Sequence, residues 1–171
     1  MQSGRRAAQL ARVVHPLDPL FDERSRVLML GSLPSPLSRE HRFYYANPRN
    51  RFWQVMARVL GEALPESNAG RARMLLEHGI ALWDVLQSCE IAGASDSSIR
   101  NPVANDLSRI LDTAPIQSIF ATGQTAARLY RKLIEPALGR AIVALPSTSP
   151  ANARMGVDDL VAAYAQVLDY L

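Results

Sequence analysis

Apolar residues along this chain fall into short unbroken runs, separated by stretches in which they recur at helical spacing. Val27-Leu28-Met29-Leu30, ended by Gly31, is an apolar run of strand length, as expected of a strand buried on both faces. Ile80 to Val85, Ile116 to Ala121 and Ile142 to Leu145 repeat the pattern, the last closed by Pro146. Between the first two runs, Phe52, Val55, Met56, Val59 and Leu60 recur every three or four residues. That spacing predicts a helix with Asn47 as N-cap, Pro48 in its first turn and Gly61 as its stop. Ala69 to His78, closed by Gly79, predicts a second helix, and Asn105 reads as the cap of a short one ending at Leu111. Gly123 leads into a further helix with Ala127, Tyr130, Leu133 and Ile134 inward. Asp158 and Asp159 open the last one, acidic at its positive end, with Leu160, Val161, Tyr164, Val167, Leu168 and Leu171 facing the core. Two stretches, 32–46 and 86–104, carry no clear period and read as polar loops. Loops of such length in a compact domain are usually functional or mobile.

Strands alternating with helices predict an α/β fold: three layers, α/β/α, around a central four-stranded, mostly parallel sheet. One domain is expected over 1–171, with 1–14 as a flexible or helical extension. Ligands of such folds bind beyond the carboxyl ends of the strands, which directs attention to the loops after the first and fourth apolar runs.

Composition narrows the setting. With 171 residues, 48% hydrophobic and 20% charged, the chain has the balance of a soluble globular protein. No apolar run approaches a membrane span, and the Ala/Arg-mixed start does not read as a signal peptide. Cys89 is the only cysteine, expected as a small core residue at a strand end, and a reducing cytoplasm is the expected compartment. His15, His41 and His78 are scattered without ligand spacing, so no metal site is expected. The net charge of +3 rests almost wholly on arginine, Lys132 being the sole lysine. Arginine grips phosphate through two parallel donors, so the bias is compatible with nucleic acid, but drift in genome composition explains it as well.

The chemistry-bearing residues gather in the two singled-out loops. One reads Gly31-Ser32-Leu33-Pro34-Ser35-Pro36-Leu37-Ser38-Arg39 and continues to Tyr44-Tyr45-Ala46-Asn47-Pro48-Arg49-Asn50. The other reads Pro146-Ser147-Thr148-Ser149-Pro150-Ala151-Asn152. Prolines stiffen both, and their hydroxyls and amides suit phosphate oxygens. Tyr44 and Tyr45 offer flat faces for a base, while Arg39, Arg42, Arg49 and Arg154 would supply rim charge.

Taken in order, His15-Pro16 with Asp22, GSLPS at 31–35, YYANPRNRFW at 44–53, ALWDV at 81–85, SDSSIRN at 95–101 and LPSTSPAN at 145–152 resemble the uracil-DNA glycosylase superfamily. The likeness is closest to its hypoxanthine-DNA glycosylase branch, sometimes called family six. It extends over almost the whole chain. The resemblance implies a monofunctional hydrolase of the N-glycosidic bond of a deaminated base, acting in base-excision repair without metal or organic cofactor. Its implied partner is DNA carrying such a base; a monomer, with no membrane association, is expected. Mismatch-specific relatives place an asparagine at the position of Leu33 to hold the attacking water, which a leucine cannot do. The hypoxanthine branch lacks that residue too, and its essential asparagine corresponds to Asn50.

The same resemblance implies that Tyr45 stacks on the extruded base, that Leu33 and Pro34 wall it, and that Asp84 contacts its edge. It further implies that Ser35, Ser38, Arg39, Ser147, Ser149, Asn152 and Arg154 meet DNA, with residues 95–98 near the site. Read alone, each residue also has a plainer account. Asn50 suits an exposed first helical turn, Tyr45 or Tyr44 the core, Asp84 a strand end, and the serines ordinary turn chemistry. Asn47 departs from the histidine common in that branch, which leaves substrate preference less defined than fold.

Glycosylases extrude the base at a cost of about a few kcal/mol, least for mispaired or damaged bases. No lysine lies in these loops, so a lyase step through an imine is not expected. Three other readings stay open at this point. They are a preference for uracil or a mismatched pyrimidine, a nucleotide-cofactor enzyme, and a damage-binding module without catalysis. The second is disfavoured because no glycine-rich phosphate motif follows any predicted strand.

Overall fold

The computed structural model describes residues 9–171. Two sheets organise the described residues. The parallel one holds β2 (Val27–Gly31), β3 (Ile80–Asp84), β6 (Ser118–Thr122) and β7 (Val143–Leu145) in the order β3-β2-β6-β7. Within it β2 pairs with both neighbours, Val27 lying opposite Ile80 of β3 and Ser118 of β6. Both β2 and β3 are buried along their whole length, as their unbroken apolar runs require. The second sheet is antiparallel, in the order β1-β4-β5, from β1 (Ala11–Val14), β4 (Leu86–Ile91) and β5 (Arg100–Ala104). Around them lie α1 (Pro36–His41), α2 (Phe52–Leu60), α3 (Asn68–Glu77), α4 (Ser108–Leu111), α5 (Gln124–Leu133), α6 (Glu135–Leu138) and α7 (Val157–Tyr164). The expected parallel sheet and its helices are therefore present.

The segment 86–104 is not the polar loop its composition suggests. β4 buries Leu86, Ser88, Cys89 and Ile91, and irregular register on either side of Ser88 breaks the two-residue period. β5 is polar and contains Pro102, which an edge strand tolerates. Cys89 is buried inside β4 rather than at a strand end, and burial pushes its thiol up. Residues 11–14 form an edge strand on β4, not a flexible or helical extension; residues 1–8 lie outside the described residues. Asn105 does not cap α4. Its buried amide donates to the carbonyls of Asp84 and Leu86, fixing the passage of the chain from one sheet to the other.

The loop 32–46 also contains α1, capped by Ser35, whose Oγ accepts from Ser38 N. α2 begins at Phe52, not at Asn47–Pro48. Asn50 N donates to Asn47 O at 2.9 Å, making 47–50 a turn with Pro48 in its second position. Proline presets the same φ for that turn position as for a first helical turn, so the signal is shared. Gly61, at φ 70°, ends α2 as expected. At the far end Leu160, Tyr164 and Val167 are buried, but Leu168 faces solvent because the chain tightens into a 3-10 turn over Ala165–Tyr170.

Candidate active site

The carboxyl ends of β2, β3 and β6 deliver Gly31, Asp84 and Thr122 to one pocket of about 200 Å³, and Ser147 reaches it just after β7. The first strand of the sheet has β3 on one side and β6 on the other, so the pocket opens where the strand order reverses. Its lining includes Leu33, Pro34, Ser35, Ser38, Arg39, Tyr45, Asn50, Asp84, Ser147 and Ser149 of the residues expected from the sequence. Asn152 and Arg154 lie outside it. Asn152 Nδ2 instead donates to Ser147 O at 3.0 Å, and Arg154 is exposed.

The floor is a set of fixed side chains. Asp84 is almost wholly buried; its Oδ2 lies 2.7 Å from His15 Nε2. Leu17 N donates to His15 Nδ1, so the ring hydrogen sits on Nε2 and points at the carboxylate. Gly31 is required beside it, since a Cβ there would lie 2.5 Å from Asp84 Oδ1 and 3.1 Å from Tyr45 Oη. Tyr45 has φ 52°, rare for a residue with a side chain. One face of its ring stacks on Phe52 at 4.0 Å, and its hydroxyl bonds Thr122 Oγ1 at 2.6 Å. Burial, and then the charge of Asp84, hold the Tyr45 phenol well above its usual range. Tyr44 is core, its hydroxyl donating to Asp18 O.

Asn50 does not lie in a helical first turn. It precedes α2, and its Oδ1 accepts from Phe52 N at 2.9 Å and from Thr148 Oγ1 at 2.8 Å. A backbone N–H requires an acceptor, so the amide orientation is fixed. Both lone pairs are occupied, and among the described residues Nδ2 has no protein partner. Asn50 therefore presents a donor to the pocket.

Hydroxyls of the surrounding loops are engaged in holding those loops. Ser38 is buried, its Oγ accepting from Ala46 N and Ser35 Oγ, so it meets no ligand of DNA size. Ser147 and Ser149 cap Ser149 N and Ala151 N. Arg39 Nη1 donates to Pro34 O. Arg51, which the sequence did not distinguish from its neighbours, reaches the carbonyls of Thr148, Ser149, Asn152 and Met155 and binds the second loop to the start of α2. From the 3-10 turn Asp96–Ser98, Asp96 joins the pocket lining. Desolvation raises its carboxyl above the usual range, against the Thr125 hydroxyl and Arg128. His15, Thr122 and Thr148 were likewise missed as site groups. His15 and Thr148 lie inside motif blocks of the chain, but only the fold brings them to Asp84 and Asn50.

The family model for the uracil DNA glycosylase superfamily matches residues 19–169. The chain belongs to that superfamily. Among relatives, the hypoxanthine DNA glycosylase of Methanosarcina acetivorans is 34% identical over 136 residues, 79% of this chain and 85% of the relative. That of Methanosarcina barkeri is 33% identical over 138 residues, 80% and 86% of the two chains. A solution NMR structure from Methanosarcina acetivorans, described as a candidate uracil DNA glycosylase, superposes with a TM-score of 0.75 at 29% identity. It covers 90% of this chain and 97% of that one. The protein is thus a DNA glycosylase, a hydrolase of N-glycosyl bonds. Among the described residues no helix is long and apolar enough to cross a membrane.

Proposed function

We propose that this glycosylase removes hypoxanthine from DNA containing deoxyinosine, as a monofunctional, monomeric, cytoplasmic enzyme of base-excision repair whose single domain needs no cofactor. The observation that carries the reading is the fixed Asn50 amide. With Oδ1 held by Phe52 N and Thr148 Oγ1, its Nδ2 is a preorganised donor beside the pocket. Such a donor orients the attacking water through its oxygen, or stabilises negative charge on the departing base. It does not take a proton.

Tyr45 packs against the extruded base with the ring face or edge that Phe52 leaves free. Leu33 and Pro34 form the wall, and Asp84 contacts the base edge. Pro34 has no N–H, so any main-chain donor of that wall is Leu33 N or Ser35 N. Arg39, Ser35, Ser147 and Ser149 serve the phosphates at the mouth, the Ser147 and Ser149 hydroxyls keeping their own hydrogens to donate. Asn152 and Arg154 act on DNA farther out. DNA phosphates help stabilise the cationic sugar.

Duplex oligonucleotides carrying deoxyinosine, uracil or xanthine, followed by alkaline cleavage of abasic sites, test this. Excision of hypoxanthine above uracil is expected, and loss of about 100-fold or more in Asn50→Ala. No product from any of the three overturns the reading; full activity in Asn50→Ala overturns the assignment of that residue.

A further inference from the structure

Asp84 is held more firmly than a residue of the wall needs to be. Its carbonyl accepts from the buried Asn105 amide, its Oδ2 from His15 Nε2–H, and Gly31 leaves room for its Oδ1. The side chains of His15 and Asp84 are 2% and 6% exposed. His15 is fixed in turn: Leu17 N bonds its Nδ1, its own N–H bonds Gln87 O at 2.7 Å, and the Trp83 ring meets it edge-on. Burying a carboxylate is expensive, and one partner satisfies only one of its oxygens. No donor among the described residues reaches Oδ1. Yet this atom is not sealed off, for among the described residues Trp83 Nε1 is the buried side-chain N or O atom left without a partner. Its opening is the pocket that Asp84 lines.

We propose that His15 and Asp84 form a dyad that selects bases bearing a ring lactam N–H, His15 acting as the positioning residue and Asp84 Oδ1 as the fixed acceptor. Deamination of adenine or cytosine is the change such an acceptor detects. Adenine and cytosine carry a bare ring nitrogen, N1 or N3, whose lone pair faces a carboxylate unfavourably. Their deaminated products, hypoxanthine and uracil, carry a hydrogen at that same nitrogen. Because His15 can only donate to Oδ2, the carboxylate cannot be replaced by an amide without inverting the floor. In Asp84→Asn the His15 hydrogen retains the amide oxygen, and the NH2 group faces the pocket.

The inference rests on the glycosylase reading and is tested on duplexes carrying deoxyinosine or deoxynebularine, whose purine has a bare N1. Intrinsic leaving-group differences cancel when the ratio of kcat/KM for the two is compared between variants. In Asp84→Asn the ratio is expected to fall about tenfold or more, because a site built for one hydrogen-bond polarity rejects the other. His15→Phe should lower it in the same direction, while His15→Gln, whose Nε2 replaces the imidazole donor, should restore it. Thermal melting establishes that each variant is folded, and Asp84→Asn is near-isosteric should His15→Phe not fold. A ratio unchanged in folded Asp84→Asn overturns the dyad and leaves the glycosylase reading intact. If the unaltered protein excises neither hypoxanthine nor uracil, both fall together. Should it excise uracil alone, deoxyuridine and its analogue with a bare N3 replace the purine pair, with the same expected ratios.

Discussion

The floor and the outer wall of the pocket are both polar, but they are held in opposite ways. On the floor, side chains fix side chains: His15 holds Asp84, Thr122 holds the Tyr45 hydroxyl, and Thr148 holds the Asn50 amide. What remains free is one defined atom each on Asp84 and Asn50, Oδ1 and Nδ2. On the wall formed by residues 146–156, side chains fix backbone. Arg51 holds carbonyls, Ser147 and Ser149 cap amides within the loop, and Tyr164 Oη donates to Pro146 O at 2.7 Å. Its shape is determined, while few of its side chains are aimed. A floor of this kind discriminates between bases by donor and acceptor polarity; a wall of this kind offers a contour and amides to a sugar–phosphate chain, which carries no sequence. Thr148 joins the two, its carbonyl on Arg51 and its hydroxyl on Asn50.

The comparison is broken most severely at Gly31. Alanine there would set a methyl 2.5 Å from Asp84 Oδ1, and Asp84 has nowhere to retreat while His15 grips its other oxygen. Overpacking of this kind destabilises by about 1–3 kcal/mol. The larger effect is on excision, expected to fall about 100-fold or more because the reading groups are displaced. Single-turnover kinetics on deoxyinosine duplex, with a urea melt to confirm folding, measure both. Near-normal turnover in Gly31→Ala would mean that the floor is softer than its hydrogen bonds indicate.

Next in size is Arg51. Arg51→Met leaves the carbonyls of Thr148, Ser149, Asn152 and Met155 without their shared donor and frees the wall from α2. Loss of about 2–4 kcal/mol in unfolding free energy is expected. Arg51→Lys should recover little of it, since one ammonium cannot span the fork of acceptors. KM should rise more than the preference for deoxyinosine over deoxynebularine changes. A change confined to base preference would place Arg51 with the floor instead.

Much of this was legible in the sequence, for reasons that differ by region. The parallel strands were visible because burial on both faces leaves an unbroken apolar run, as in Val27 to Leu30. The antiparallel sheet was hidden. β5 is an edge strand of RNPVA, and β4 spends buried positions on Ser88 and Cys89, so neither keeps a clean alternation. Asn50 and Asp84 were found through motif blocks, and both line the pocket. Their partners were not: His15 stands 69 residues from Asp84 and Thr148 98 from Asn50 in the chain, and no local pattern records such pairings. Arg51 was obscured by its neighbour, since Arg49 and Arg51, two arginines in three residues, read together as rim charge. Only the fold distinguishes the one turned inward.

The mildest expected effect concerns a charge that belongs to the wall alone. Arg154 is exposed, lies outside the pocket lining, and among the described residues makes no salt bridge. If it meets a phosphate, its removal releases about one fewer counterion on binding. Arg154→Ala should then weaken DNA binding a few-fold at low salt and lower the slope of log K against log salt by about one. The deoxyinosine-to-deoxynebularine ratio should not move, because a phosphate contact weakens binding to both duplexes equally. Binding titrations across a salt series, set beside the kinetic ratio, read the two quantities independently. A shifted ratio with an unchanged salt slope would mean that Arg154 reads the base, and the division between floor and wall would fail at the wall's outer edge.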